Sequence, residues 1–226
     1  MLIDIVAEMR ASLETRSVQA SHAEEKASQK TLAEGLAERV EMLEAIASPF
    51  HGKDLVTMAS GAMALKAWTG KTSAAIVYDS KRDPFTADGL FAAIQGRANV
   101  AVVGFTTDGD VFGGFHSVAV VKQNQQFIDP SIFAFSFESH GRCATPQRYA
   151  VKEAKKTQGV VQYCKNFANG HVWFGVYGTG CFWLGNESSG SDCWNVSGAF
   201  DGAEDTTLSG KNGIHRCHRL VAFQLS

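Results

Sequence analysis

The chain has 226 residues, of which 45% are hydrophobic and 19% charged, with a formal net charge of −2. That length and apolar content suit one sizeable domain with a real core plus an appendage, or two small domains. The charge balance and the lack of a long basic run argue against nucleic acid as a partner, and no apolar run is long enough for membrane insertion.

The start, MLIDIVAEMR, carries Asp4 and Glu8 among its apolar residues and has no basic lead-in, so it does not read as a secretion signal. Five cysteines, Cys143, Cys164, Cys181, Cys193 and Cys217, are odd in number and widely spread, with no C-x-x-C pair. Buried free thiols in a reducing compartment are expected, and with them a cytoplasmic location.

The polypeptide changes character near Pro49. Residues 1–48 hold no Phe, Tyr or Trp, a single glycine (Gly35), nine acidic and five basic side chains; the remainder holds all the aromatics, 14 acidic and 16 basic side chains. Leu32, Leu36, Val40, Leu43 and Ile46 recur at steps of four, four, three and three, which places them on one helical face. Ser48-Pro49 ends that helix, because the residue before proline is pushed out of helical geometry. Leu2, Ile5, Met9 and Leu13 form a shorter stripe upstream, and the polar segment within 14–30 separates the two. Residues 1–48 are therefore expected to be a helical arm, either a coiled coil that self-associates or an arm packed on its own domain.

From residue 50 onward the pattern is mostly strand. Residues 53–68 predict a helix and 73–80 a strand, followed by the charged turn YDSKRDPF, which presents Lys81 and Arg82 as a possible partner contact on a solvated loop. Residues 86–97 predict a short helix capped by Thr86 with Asp88 in its first turn. NVAVVGFT and DVFGGFHSVAVV flank Asp108-Gly109, a strong hairpin signal. QFIDP, IFAFSF, QRYAV, GVVQYC, HVWFGVYG, GCFWL, CWNVSGAF and HRCHRLVAFQL follow as short strands. Such spacing predicts an α+β fold, a two-layer antiparallel β-sandwich with flanking helices.

Several chemistries are set aside on spacing. WTGKTS lacks the first glycine of a phosphate-binding loop and runs from helix to strand. GVYGTG reads as a hairpin turn. HRCHR puts His215 and Cys217 on one strand face and His218 on the other, so no metal or cofactor is expected; Cys217, Val221, Phe223 and Leu225 are expected to form one inward row. No local sequence activates a particular thiol.

The order IVYDSKRDPF, GLFAAI, VAVVGF, VFGGF, IFAFSF, WFGVYGTGCFWL, GSDCW and IHRCHRLVAFQL, covering roughly residues 53–226, resembles the TLDc domain family. That is the domain shared by oxidation-resistance proteins and some Rab GTPase-activating-domain proteins. In this resemblance Phe112, Gly113, Gly114, Phe115, Trp183, Ser191 and Cys193 stand at the family's signature positions. Pro84, the ending Phe223-Gln224-Leu225 and the loops at 139–147 and 201–213 depart from its pattern.

The resemblance implies a non-catalytic protein-interaction domain linked to oxidative-stress protection, with subunits of the V-type ATPase as partners. Two alternatives stay open: a Cys- or Ser-dependent hydrolase, and a thiol-based peroxide sensor. Gly113 and Gly114 are expected to be packing positions, bare so that neighbours on both faces of a central strand can approach.

Overall fold

The computed structural model describes residues 24–37, 40, 50–139, 142–143, 145–165, 170–186, 188, 191–210 and 212–226. The chain divides into two compact units, residues 1–44 and 45–226. In the first unit, residues 24–37 are helical and form α1, a run rich in strong helix formers. Leu32, Leu36 and Val40 are exposed there. The upstream stripe Leu2, Ile5, Met9, Leu13, the residues Leu43 and Ile46 and the Ser48-Pro49 stop lie outside the described residues.

The second unit runs α2 (Gly52–Thr69), β1 (Ala74–Asp79), α3 (Ala87–Ile94), β2 (Val100–Thr106), β3 (Val111–His116), β4 (Phe127–Ile128), β5 (Phe133–Glu138) and β6 (Gln147–Ala150). After a 3-10 turn (Glu153–Gln158) come β7 (Gly159–Tyr163), β8 (Val172–Val176), β9 (Gly180–Leu184), β10 (Ser191–Trp194), α4 (Val196–Ala199), β11 (Gly213–His215) and β12 (Cys217–Leu225). The strands make two antiparallel six-stranded sheets, ordered β1-β12-β2-β3-β5-β6 and β11-β10-β9-β8-β7-β4. The unit is thus α+β and consistent with a sandwich.

Local chemistry sets the boundaries. Gly70 closes α2 in the left-handed conformation, φ 67°, where a Cβ would be strained. The Thr86 hydroxyl accepts from the Gly89 N–H and caps α3. Gly109 takes φ 92° in the turn between β2 and β3.

Between the sheets lie Tyr78, Val102 and Phe112 from the first and Phe174, Phe182 and Leu184 from the second. The first sheet buries its other face too. There Phe115 stacks on Phe133 at 4.8 Å, and Trp68 of α2 meets the Phe133 ring edge-on at 6.0 Å. This double burial explains why β2 and β3 read as continuous apolar runs rather than alternating ones.

Gly113 and Gly114 sit in the interior of the first sheet, β3 being flanked by β2 and β5. A Cβ on Gly113 would overlap the Val102 carbonyl oxygen and come within 2.7 Å of the Phe135 ring; one on Gly114 would come within 2.5 Å of the Phe174 ring of the other sheet.

Three expected strands end differently. β3 stops at His116, because the Asp129 carboxylate takes the Ser117 N–H and hydroxyl and turns the chain off the sheet; Ser117–Val121 is not strand. CWNVSGAF is strand only through Trp194, then one helical turn.

HRCHRLVAFQL divides at Arg216, and the register slips between Cys217 and Arg219. That bulge corrects the expected row. Cys217 faces the inter-sheet core with Leu220 and Ala222, whereas Val221, Phe223 and Leu225 are not in that cluster.

Candidate functional site

The signature residues do not converge on one site. Phe112 enters the core between the sheets, where it meets Phe182 at 5.8 Å and His215 at 5.1 Å. Ser191 and Cys193 point inward from β10 and are fully buried. The Ser191 hydroxyl accepts from the Gly185 N–H at 2.8 Å and lies 3.6 Å from the Cys217 sulfur; the Ser209 hydroxyl donates to the Cys193 sulfur at 3.6 Å. This Ser/Cys cluster is interior packing, its polar atoms buried and engaged with one another and with the Gly185 backbone.

The thiols match that position. Burial pushes Cys164 up to about 11, Cys181 to about 12 and Cys217 to about 12, and burial also drives Cys193 upward. A neutral thiol is a poor nucleophile and a slow peroxide target. Cys143 is half-buried, with its sulfur 3.9 Å from the Ser136 hydroxyl.

Other buried polar groups are absorbed structurally. The His116 Nδ1–H donates to the Val118 carbonyl at 2.8 Å, and its Nε2 lies 3.0 Å from the Tyr163 hydroxyl. Arg219 holds Asp79, and Asp79 in turn accepts the Lys81 N–H at 3.0 Å while Asp83 accepts the Asp79 N–H at 2.8 Å. Lys81 and Arg82 therefore stand exposed on a turn fixed from beneath. Among the described residues, no group of three or more His, Cys, Asp or Glu is placed to hold a metal.

Trp183 leads elsewhere. The hairpin of β8 and β9 pairs Trp173 with Trp183 and Phe174 with Phe182. Alternation sends the two phenylalanines into the inter-sheet core and both indoles to the opposite face, ring centroids 6.3 Å apart. A second cross-strand row runs Trp194–Cys181–Gly175–Val160–Ile128 beside them.

Trp173, Trp183, Trp194 and Tyr177 line a groove of about 300 Å³, with Cys181 among the lining residues and Gln126 and Gln162 supplying amides. Trp194 and Tyr177 are 50% and 68% exposed, whereas Trp173 is only 7% exposed. The Trp173 indole N–H has no acceptor oxygen among the described residues and interacts instead with the Cys181 thiol.

No family model matches the chain, and no curated protein matches it. Among the described residues no helix is long and apolar enough to cross a membrane.

The sequence alone does not mark the groove, because Trp173 and Trp183 each read as part of a short strand. Their equal distance from Gly178 was the available signal. It places both indoles on one face of a hairpin whose other face already carries two phenylalanines for the core.

Proposed function

We propose that residues 50–226 form a non-catalytic protein-interaction domain whose binding face is the aromatic groove on the second sheet. One observation carries this reading: three tryptophans on the sheet face opposite the core gather with a tyrosine of the β8–β9 turn, two of the four at least half exposed. Exposed aromatic clusters of this kind are the usual anchors of protein interfaces. The raised, buried thiols and the closed Ser/Cys cluster weigh against the hydrolase and peroxide-sensor alternatives.

The TLDc resemblance of the sequence segments from IVYDSKRDPF to IHRCHRLVAFQL supports oxidative-stress protection as the process, and V-type ATPase subunits as partners. Lys81 and Arg82 offer a second exposed contact, and the α1 face bearing Leu32 and Leu36 offers self-association.

The test is capture from a eukaryotic extract with the full chain and with a Tyr177→Ser/Trp194→Ser variant. V-type ATPase subunits are expected with the wild type and depleted with the variant. Capture of none of them, or equal capture by both chains, counts against the reading.

A further inference from the structure

The geometry points to an arginine side chain of the protein partner as the occupant of the groove lined by Trp173, Trp183, Trp194 and Tyr177. The inference rests on the interaction-domain reading and names the chemistry of one contact within it.

Aromatic faces carry negative quadrupole potential and attract a cation placed over them. Four such rings line this groove, and none of its described lining residues is a lysine or arginine. A carboxylate stands close by. Asp192 follows Ser191 on the same strand, pairs with Ile214 of β11, and lies near enough to Cys181 for its charge to raise that thiol. Its Oδ1 atom is buried with no hydrogen-bond partner among the described residues. The ring faces and Asp192 would repel an anionic ligand, and a purely apolar one would leave the amides of Gln126 and Gln162 without a role.

Among cations the guanidinium fits best. It is planar, stacks on indole, is less strongly hydrated than an ammonium, and carries five N–H donors. The amide oxygens of Gln126 and Gln162 can accept from those donors. A lysine ammonium loses more hydration on entering, and a quaternary ammonium has no N–H to offer the amides. The volume of about 300 Å³ is at the small end for a ligand site, in keeping with one side chain rather than a large cofactor.

Calorimetric titration of the full chain with a capped Gly-Arg-Gly peptide tests this, alongside the citrulline and lysine versions and tetramethylammonium. Saturable binding of the arginine peptide is expected, weaker binding of lysine, and none of citrulline or tetramethylammonium. Trp194→Ser, a change at an exposed position, should weaken arginine binding about two- to thirty-fold. Asp192→Asn should weaken it too and flatten its salt dependence.

No arginine binding, equal binding of citrulline, tighter binding of tetramethylammonium, or unchanged affinity in Trp194→Ser each overturns the inference. The two readings fail separately. If Tyr177→Ser/Trp194→Ser loses its captured partner while the arginine peptide is ignored, the interaction domain stands and the cation contact falls. If the peptide binds but capture does not depend on these residues, the reverse holds.

Discussion

Arg219 on β12 grips Asp79 at the end of β1 through two parallel hydrogen bonds, Nε to Oδ1 at 2.9 Å and Nη2 to Oδ2 at 2.6 Å. Both residues are buried, and the guanidinium lies over the Phe50 ring at 4.0 Å. Taking two charges out of water is costly, and their fork geometry together with the stacked ring offsets that cost. Removing one partner leaves the other charge buried alone. Asp79→Ala should therefore cost about 3–5 kcal/mol in urea denaturation. The double change Asp79→Leu/Arg219→Leu should cost clearly less than the single one. A double variant as unstable as Asp79→Ala would mean the loss comes from the turn bearing Lys81, not from an uncompensated charge.

Gly113 and Gly114 allow a graded test of packing. At Gly114 the obstacle is the Phe174 ring, a side chain with some freedom to shift. Gly114→Ala is expected to destabilise by about 1–3 kcal/mol. At Gly113 the obstacle is the Val102 carbonyl, backbone locked in the β2–β3 ladder. Gly113→Ala should therefore lose at least the upper end of that range, about 3 kcal/mol. Thermal unfolding of the two variants checks the order. A Gly113→Ala chain as stable as the parent would contradict the close approach.

How far the sequence discloses this molecule depends on whether a signal is local. Thr86 and Asp108-Gly109 act within a few residues, so the α3 cap and the β2–β3 hairpin were legible. The end of β3 was not. It is set by the carboxylate of Asp129, twelve residues beyond Ser117, and nothing near Ser117 announces it. The slip at Cys217 was equally hidden, because a bulge reverses the facing of every residue before it without altering composition. As for the site, alternation fixed that Trp173 and Trp183 share a face. Which face stays uncovered depends on how two sheets stack, and that is decided by long-range packing.

Stability should fall on acidification through two histidines. Burial lowers His116 to about 4, against the contrary pull of the Val118 carbonyl and Asp129, and it lowers His171 to about 4 as well. Above about pH 6.5 both are neutral whether the chain is folded or not, so they add no pH dependence there. Below it the unfolded chain takes up protons that the folded chain refuses until about pH 4. Stability is lost across that window, at a slope approaching 1.4 kcal/mol per pH unit for each histidine. The His171 ring meets Phe85 edge-on at 5.8 Å, and its Nδ1 atom has no hydrogen-bond partner among the described residues. His171→Leu should therefore fold and show a shallower acid slope. An unchanged slope between pH 6.5 and 4 would rule out His171 as a contributor.

Thiol reactivity separates the remaining chemical alternatives from the binding role. Cys164, Cys181, Cys193 and Cys217 are buried, and burial raises each of them, with the Asp192 charge adding to the effect at Cys181 and Cys193. At neutral pH only a minute fraction of each is thiolate, and alkylating reagents must wait for local opening to reach it. Cys143 is half-buried. Labelling of the native chain with iodoacetamide, followed by peptide mapping, should find Cys143 modified first and the other four only as the chain unfolds. Adding denaturant should bring all five to one common rate. Fast, selective modification in the native chain would instead require a thiolate held between the sheets at Cys193 or on the floor of the groove at Cys181, and would reopen both the hydrolase and the peroxide-sensor readings.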